Sequence, residues 1–166
     1  LDRFLKLDPS ESGRQEAESW LASRYHGAVD PAQLTDSDRA AWVGHMGDRY
    51  FSVVRKALKK YDPNHLYLGS RLHWRALECE ALFQAAGRYL DVVSVNCYSI
   101  WDPRERIEQW SAWSGRPVMI TEWYAKGDDS GLPNRTGAGW TLATQEERGP
   151  APRAPPGVLG PAQFHP

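Results

Sequence analysis

Apolar and polar positions along the chain alternate at two different periods. From about Ser10 to Tyr25, Ala17, Trp20, Leu21 and Tyr25 recur at helical spacing, with Ser12 placed to cap the start. Gly27 and Pro31 interrupt that pattern, and the chain reads as irregular to about Thr35. A longer helix is predicted over Asp36 to Lys60, presenting Ala40, Val43, Met46, Tyr50, Val53, Val54, Ala57 and Leu58 as its apolar side. Asp36 or Ser37 could cap it, and Lys56, Lys59 and Lys60 suit the negative end of its dipole. The turn Asp62-Pro63-Asn64 stops it.

The pattern then becomes a rhythm of short continuous apolar runs and helical segments. Strands are predicted at His65–Gly69, Asp91–Asn96 and Pro117–Glu122, starting 26 residues apart, with helices from about Trp74 to Tyr89 and Pro103 to Trp113. Strands continuously apolar on both faces, joined through helices, make a parallel βαβαβ run. Right-handed crossovers put the strand ends, carrying Ser70-Arg71, Asn96-Cys97-Tyr98 and Glu122-Trp123, at one end of the sheet. An open doubly wound sheet and a (β/α)8 barrel both contain such units. No Gly-x-Gly-x-x-Gly loop follows any strand, and polar or aromatic residues end all three, which favours the barrel. The expected fold class is therefore α/β, a partial (β/α)8 TIM barrel holding about three of its strands.

After Tyr124 a glycine-rich polar loop runs from Lys126 to Gly139, and Trp140–Arg148 reads as the start of a helix. Six of the twelve prolines then fall within residues 150–166, where no barrel element can form. The expected division is a partial barrel over 1–149 and a disordered or frameshifted Pro/Gly/Ala tail over 150–166.

Composition narrows the function classes. A chain of 166 residues can bury about two-thirds of its unfolded surface around one core. A net charge of −1 with acids and bases interspersed excludes an electrostatic nucleic-acid binder. No apolar run approaches the roughly 20 residues of a membrane span, so no membrane partner is expected; a leader could lie upstream of Leu1. Cys79 and Cys97 have neither Cys-x-x-Cys spacing nor a histidine pair nearby and read as buried thiols, and no cofactor or metal site is indicated. Eight tryptophans in a nearly neutral chain fit a carbohydrate site, with core packing absorbing part of them.

The candidate chemistry centres on Glu122, which ends the apolar run Val118-Met119-Ile120-Thr121 and is followed by Trp123 and Tyr124. A carboxylate at a buried strand end is rigidly held and partly desolvated, as a glycosidase nucleophile must be. A strand-end salt bridge with Arg71 or Arg116 accounts for it equally well. Asn96 and Tyr98 share a strand face, and the tyrosine hydroxyl could keep the Glu122 carboxylate ionised; a core tyrosine is the alternative. Arg71 and His73 could bind sugar hydroxyls, while Trp101, Trp123 and Tyr124 could stack on sugar rings. Asp128-Asp129 and Glu146-Glu147 read as solvated pairs. Neither Gly-x-Ser-x-Gly nor His-Glu-x-x-His occurs.

Several segments, in order, resemble the second half of a β-agarase-like glycoside hydrolase barrel. They are Tyr50-Phe51 and Lys60 through Arg71, Asp91 through Tyr98, Ile120 through Gly127, Thr136 through Trp140, and Thr144 through Gly149. The resemblance covers roughly residues 15–149. It implies a retaining mechanism on an agar-type, galactose-containing polysaccharide, and a secreted or periplasmic full-length protein. It also implies that the three strands are the fifth to seventh of a barrel, with Glu122 as nucleophile and Tyr98 as its hydrogen-bonding neighbour. The acid/base glutamate of that family follows an asparagine; the chain has no Asn-Glu pair, so that residue is expected before Leu1. The aromatic floor of the eighth strand would fall where the proline tail stands. A chain so composed is expected to be inactive alone and prone to aggregate. A non-catalytic carbohydrate-binding or structural remnant of such a barrel is the alternative.

Overall fold

The first two helices predicted from periodicity are present in the computed structural model, which describes residues 1–27, 29–98, 100, 102–131 and 139–148. Trp101, residues 132–138 of the glycine-rich loop and the tail 150–166 lie outside the described residues. A short helix α1 (Asp2–Leu5) precedes α2 (Ser12–Tyr25), then a 3-10 turn (Pro31–Gln33) leads to α3 (Asp36–Tyr61). The start of α2 carries no side-chain cap, and the cap of α3 is Thr35 rather than Asp36 or Ser37. Thr35 Oγ1 accepts from the Asp38 amide at 3.2 Å, and Asp38 Oδ2 accepts from the Thr35 amide at 2.9 Å. Aspartate closes this capping box in place of the longer glutamate that the usual signature contains.

The packing face of α3 differs from the predicted one. Trp42, Gly44, Gly47 and Phe51 are buried, whereas Val43, Tyr50, Val53 and Leu58 are exposed. The reason is close approach. A Cβ on Gly44 would stand 2.9 Å from Ala81 Cβ, and one on Gly47 would stand 2.5 Å from Leu82 Cδ1. Two glycines let α4 (Glu80–Tyr89) press against the α3 backbone, so the contact is made by residues that a hydrophobicity pattern scores as nothing.

The predicted first strand is replaced by an interrupted edge. Residues 67–72 run parallel to β1 (Val93–Cys97), with Asp91 N to Tyr67 O at 3.0 Å, Ser94 N to Leu68 O at 3.2 Å, Leu72 N to Ser94 O at 2.9 Å and Asn96 N to Leu72 O at 2.9 Å. Between these bonds the backbone turns left-handed at Gly69 (φ 78°) and Arg71 (φ 37°). Ser94, buried at 2% exposure, bridges the gap: its hydroxyl donates to Leu68 O at 2.8 Å and accepts from Arg71 N at 3.1 Å. The predicted helix over 74–89 likewise splits into a 3-10 turn (Trp74–Glu78) and α4, because Cys79 between them is extended.

β1 pairs in parallel with β2 (Val118–Trp123), and α5 (Arg104–Ser114) connects them. One face of the pair carries Val93, Val95, Cys97, Val118 and Ile120 against Phe83, Ile107 and Trp110 of the helices. Trp110 is fully buried, stacks on Phe83 at 6.0 Å, and donates its indole N–H to Leu77 O at 2.9 Å. Beyond β2, the predicted helix at 140–148 is instead a short strand and a 3-10 turn. β4 (Trp140–Leu142) pairs in parallel with β3 (Ala125–Gly127), followed by the turn Glu146–Arg148. Trp-Thr-Leu has aromatic and β-branched character, and the open edge of β3 provides a ladder that an isolated helical turn lacks. The described residues thus form a mixed α/β fold, and among them no helix is long and apolar enough to cross a membrane.

Candidate active site

A break in strand register puts Glu122 where chemistry is possible. Val95 pairs with Ile120, but Asn96 pairs with Glu122, so Thr121 is an extra residue in β2. In an unbroken ladder Glu122 would share the face of Val118 and Ile120 and point into the helix-covered core. The bulge moves it to the other face, with Ser94, Asn96 and Met119. The Thr121 hydroxyl lies 3.2 Å from Val95 O and 3.3 Å from Asn96 Oδ1, which ties the bulge to β1.

Three side chains converge on the Glu122 carboxylate. Asn96 Nδ2 donates to Oε2 at 2.9 Å, Arg71 Nη1 donates to Oε2 at 3.2 Å, and the Tyr98 hydroxyl donates to Oε1. Asn96, 7% exposed, also reaches the Tyr98 oxygen with Nδ2 at 3.2 Å, so one amide holds both the carboxylate and its phenol partner. The bond to Glu122, then partial burial and the carboxylate charge, push the Tyr98 hydroxyl above its ordinary value. It therefore remains a donor throughout the neutral range. All three donors fix the orientation of the Glu122 carboxylate.

The ion pair with Arg71 exists, but its exposure decides what it is for. The Arg71 and Glu122 side chains are 62% and 43% exposed, and pairs in such settings contribute only about 0–1 kcal/mol to stability. Arg116, the other candidate partner, donates to Gly87 O at 2.7 Å and serves the α4–α5 contact. A nearly worthless surface bridge does not account for an ordered Asn, Tyr and Arg set around one half-exposed carboxylate. Orientation of that carboxylate does.

The other sequence-derived candidates are placed differently. His73 is exposed at the start of the 3-10 turn, and among the described residues no hydrogen bond joins it to Glu122. Trp123 pairs with Cys97 and packs partly buried against the core, while Tyr124 is 39% exposed. The Cys97 thiol is buried and burial pushes it up; neither cysteine is bonded to the other. Among the described residues no cluster of three or more His, Cys, Asp or Glu could hold a metal ion.

Sequence reasoning missed Trp74. A cleft of about 430 Å³ abuts the site, lined by Trp74, Leu77, Ile100, Asn96 and Tyr98 among others. Trp74 is 70% exposed and has φ 54°, a conformation that costs a bulky residue on the order of 1–3 kcal/mol. Only the excess of tryptophans near element ends hinted at such a residue.

No protein-family model matches the chain. Over 116 residues it is 34% identical to Beta-agarase B of Vibrio sp. (strain JT0107), an alignment covering 67% of this chain and 11% of that protein. The crystal structure of BpGH50 superposes with a TM-score of 0.79 at 35% identity, over 89% of this chain and 33% of that one. The structure of an exo-beta-agarase does so with a TM-score of 0.66 at 29% identity, over 84% of this chain and 22% of that one. The chain thus spans about a tenth of the curated relative's length.

Proposed function

We propose that this β-agarase-like glycoside hydrolase region bears the nucleophile of a retaining enzyme that cleaves agar-type, galactose-containing polysaccharide. The observation that carries the reading is the threefold hydrogen bonding of Glu122 on a strand end, brought about by the bulge. In this reading the two parallel strands and the interrupted edge 67–72 are the seventh, sixth and fifth of a (β/α)8 barrel. A Glu122 oxygen attacks the anomeric carbon of a galactose residue, forming a glycosyl ester as the bond to the leaving oxygen breaks. A second carboxyl group protonates that oxygen and then activates the water that opens the ester. This reading takes the proton donor to be a carboxyl group about 5–5.5 Å from Glu122 and outside these 166 residues, as the absent Asn-Glu pair implies. Without it the roughly 10²–10⁴-fold contribution of general acid catalysis is lost, and the chain alone does not turn over agarose. Arg71, Asn96 and Tyr98 hold the nucleophile, and His73, Trp123 and Tyr124 offer further sugar contacts.

Fluoride leaves without protonation, so the nucleophile can be tested in the absence of its acid partner. A 2-deoxy-2-fluoro-β-galactosyl fluoride extended at O3 by anhydrogalactose should form a covalent adduct on Glu122 by loss of fluoride. Peptide mass mapping should locate it there in the wild type and find none in Glu122→Gln. An adduct on another residue, or none on a chain that binds the sugar, would remove Glu122 from the role.

A further inference from the structure

We infer that Trp74 is a sugar-stacking platform that holds the saccharide residue lying in the cleft beside Glu122. This rests on the glycosidase reading and adds a binding residue to it. Three observations converge. The indole is the second most exposed large hydrophobic side chain of the described residues, at 70%, after Tyr61. It lines the same cleft as Asn96 and Tyr98, whose side chains both bond the Glu122 carboxylate. Its backbone is left-handed at φ 54°, as is that of Arg71 at φ 37°, so the four-residue segment 71–74 is bent twice against preference. The first bend delivers Arg71 to Glu122, and the second delivers Trp74 to the cleft.

A folding role does not explain this arrangement. A tryptophan kept for stability would be buried in an easy conformation, as Trp110 is. Trp74 combines an unfavourable backbone with an uncovered ring, a combination that follows if the ring is presented to a ligand. Leu77 and Ile100 add apolar surface to the lining of that cleft, Arg75 and Glu78 add charged groups, and Asn96 and Tyr98 supply polar groups at the Glu122 side. An apolar wall with polar groups at one side suits a sugar ring, which has one C–H face and hydroxyl groups at its rim. The 3,6-anhydro bridge of agar-type chains removes hydroxyls and enlarges the apolar face, so the anhydrogalactose residue is the ring that fits this wall.

The substitution Trp74→Gly separates the two roles, because glycine accepts φ 54° without strain. Binding of neoagarotetraose to the 166-residue chain is measured by calorimetry, alongside melting temperature. Affinity should fall roughly tenfold or more while melting is unchanged or higher. Trp74→Phe, which keeps a ring, should retain most of the affinity. β-1,4-Galactotetraose, which lacks the anhydro bridge, should bind the wild type more weakly and lose less in Trp74→Gly. Unchanged affinity in Trp74→Gly, or a large fall in melting temperature, would overturn the platform role. The fluoride reagent keeps the two proposals apart. Labelling of Glu122 with unchanged Trp74→Gly affinity sinks the platform alone. A wild-type chain that neither labels nor binds a galactose saccharide sinks both.

Discussion

The Tyr98 hydroxyl is the donor to Glu122 that can be deleted with least disturbance, since phenylalanine keeps the ring. A hydrogen bond to an ionised group is worth about 1.5–3 kcal/mol, and the partly exposed setting favours the lower end. Tyr98→Phe should therefore slow fluoride-reagent labelling roughly tenfold with little change in saccharide affinity. A rate within twofold of wild type would show that the phenol does not hold the Glu122 carboxylate for reaction. Much of this site was legible in the sequence. Glu122 ends an apolar run, and Asn96 and Tyr98 stand two apart on the preceding strand, so period-two geometry put them on one face. Trp74 was not legible, because its exposure follows from a backbone reversal that no local residue pattern announces.

Glycines decide how the helices meet. Gly87 of α4 passes so near the end of α5 that a Cβ there would lie 1.9 Å from Ser114 O, a backbone atom with little freedom to retreat. Gly87→Ala should destabilise by about 1–3 kcal/mol, which for a chain of this size lowers melting by roughly 3–10 °C. Gly27→Ala is the control: nothing lies within 4 Å of that position, and melting should hardly move. Equal shifts for the two would mean that helix contact is not what Gly87 provides. The same chemistry explains why the α3 face was misread from sequence. Periodicity marked Val43, Tyr50 and Val53, but Gly44 and Gly47 allow the approach, and a missing side chain leaves no apolar signal. The boundaries of α2, α3 and α5 were nearly readable because glycine, proline and lysine residues punctuate them, although the predicted caps were not the ones used. The edge at 65–72 was not, since its hydrogen bonds depend on Ser94 of another element.

At the scale of the molecule, the first helices are joined to the rest through a buried carboxylate. Asp38, 2% exposed, accepts from the Thr35 hydroxyl at 2.6 Å, from Tyr25, from the Thr35 amide at 2.9 Å and from Arg24 Nε at 2.8 Å, and these hold it well below the usual carboxylate range. A depressed folded-state value gives stability that is fully present above the unfolded value near 4 and lost as pH falls below it. Acid unfolding followed by circular dichroism should therefore steepen below about pH 4, and Asp38→Asn should flatten that limb while lowering stability at pH 7. Parallel limbs for the two proteins would assign the acid sensitivity to other carboxylates. Outside this network, Val43, Tyr50, Val53 and Leu58 of α3 are exposed.

The bulge in β2 also imposes a rule of counting. Side chains on a strand obey odd and even, and one supernumerary residue inverts the parity of everything after it. What matters at position 121 is therefore less its identity than that it stays out of the ladder. Were Thr121 drawn into the ladder opposite Asn96, every letter would remain in place while Glu122 turned inward, a difference that an alignment scoring identities alone would not see.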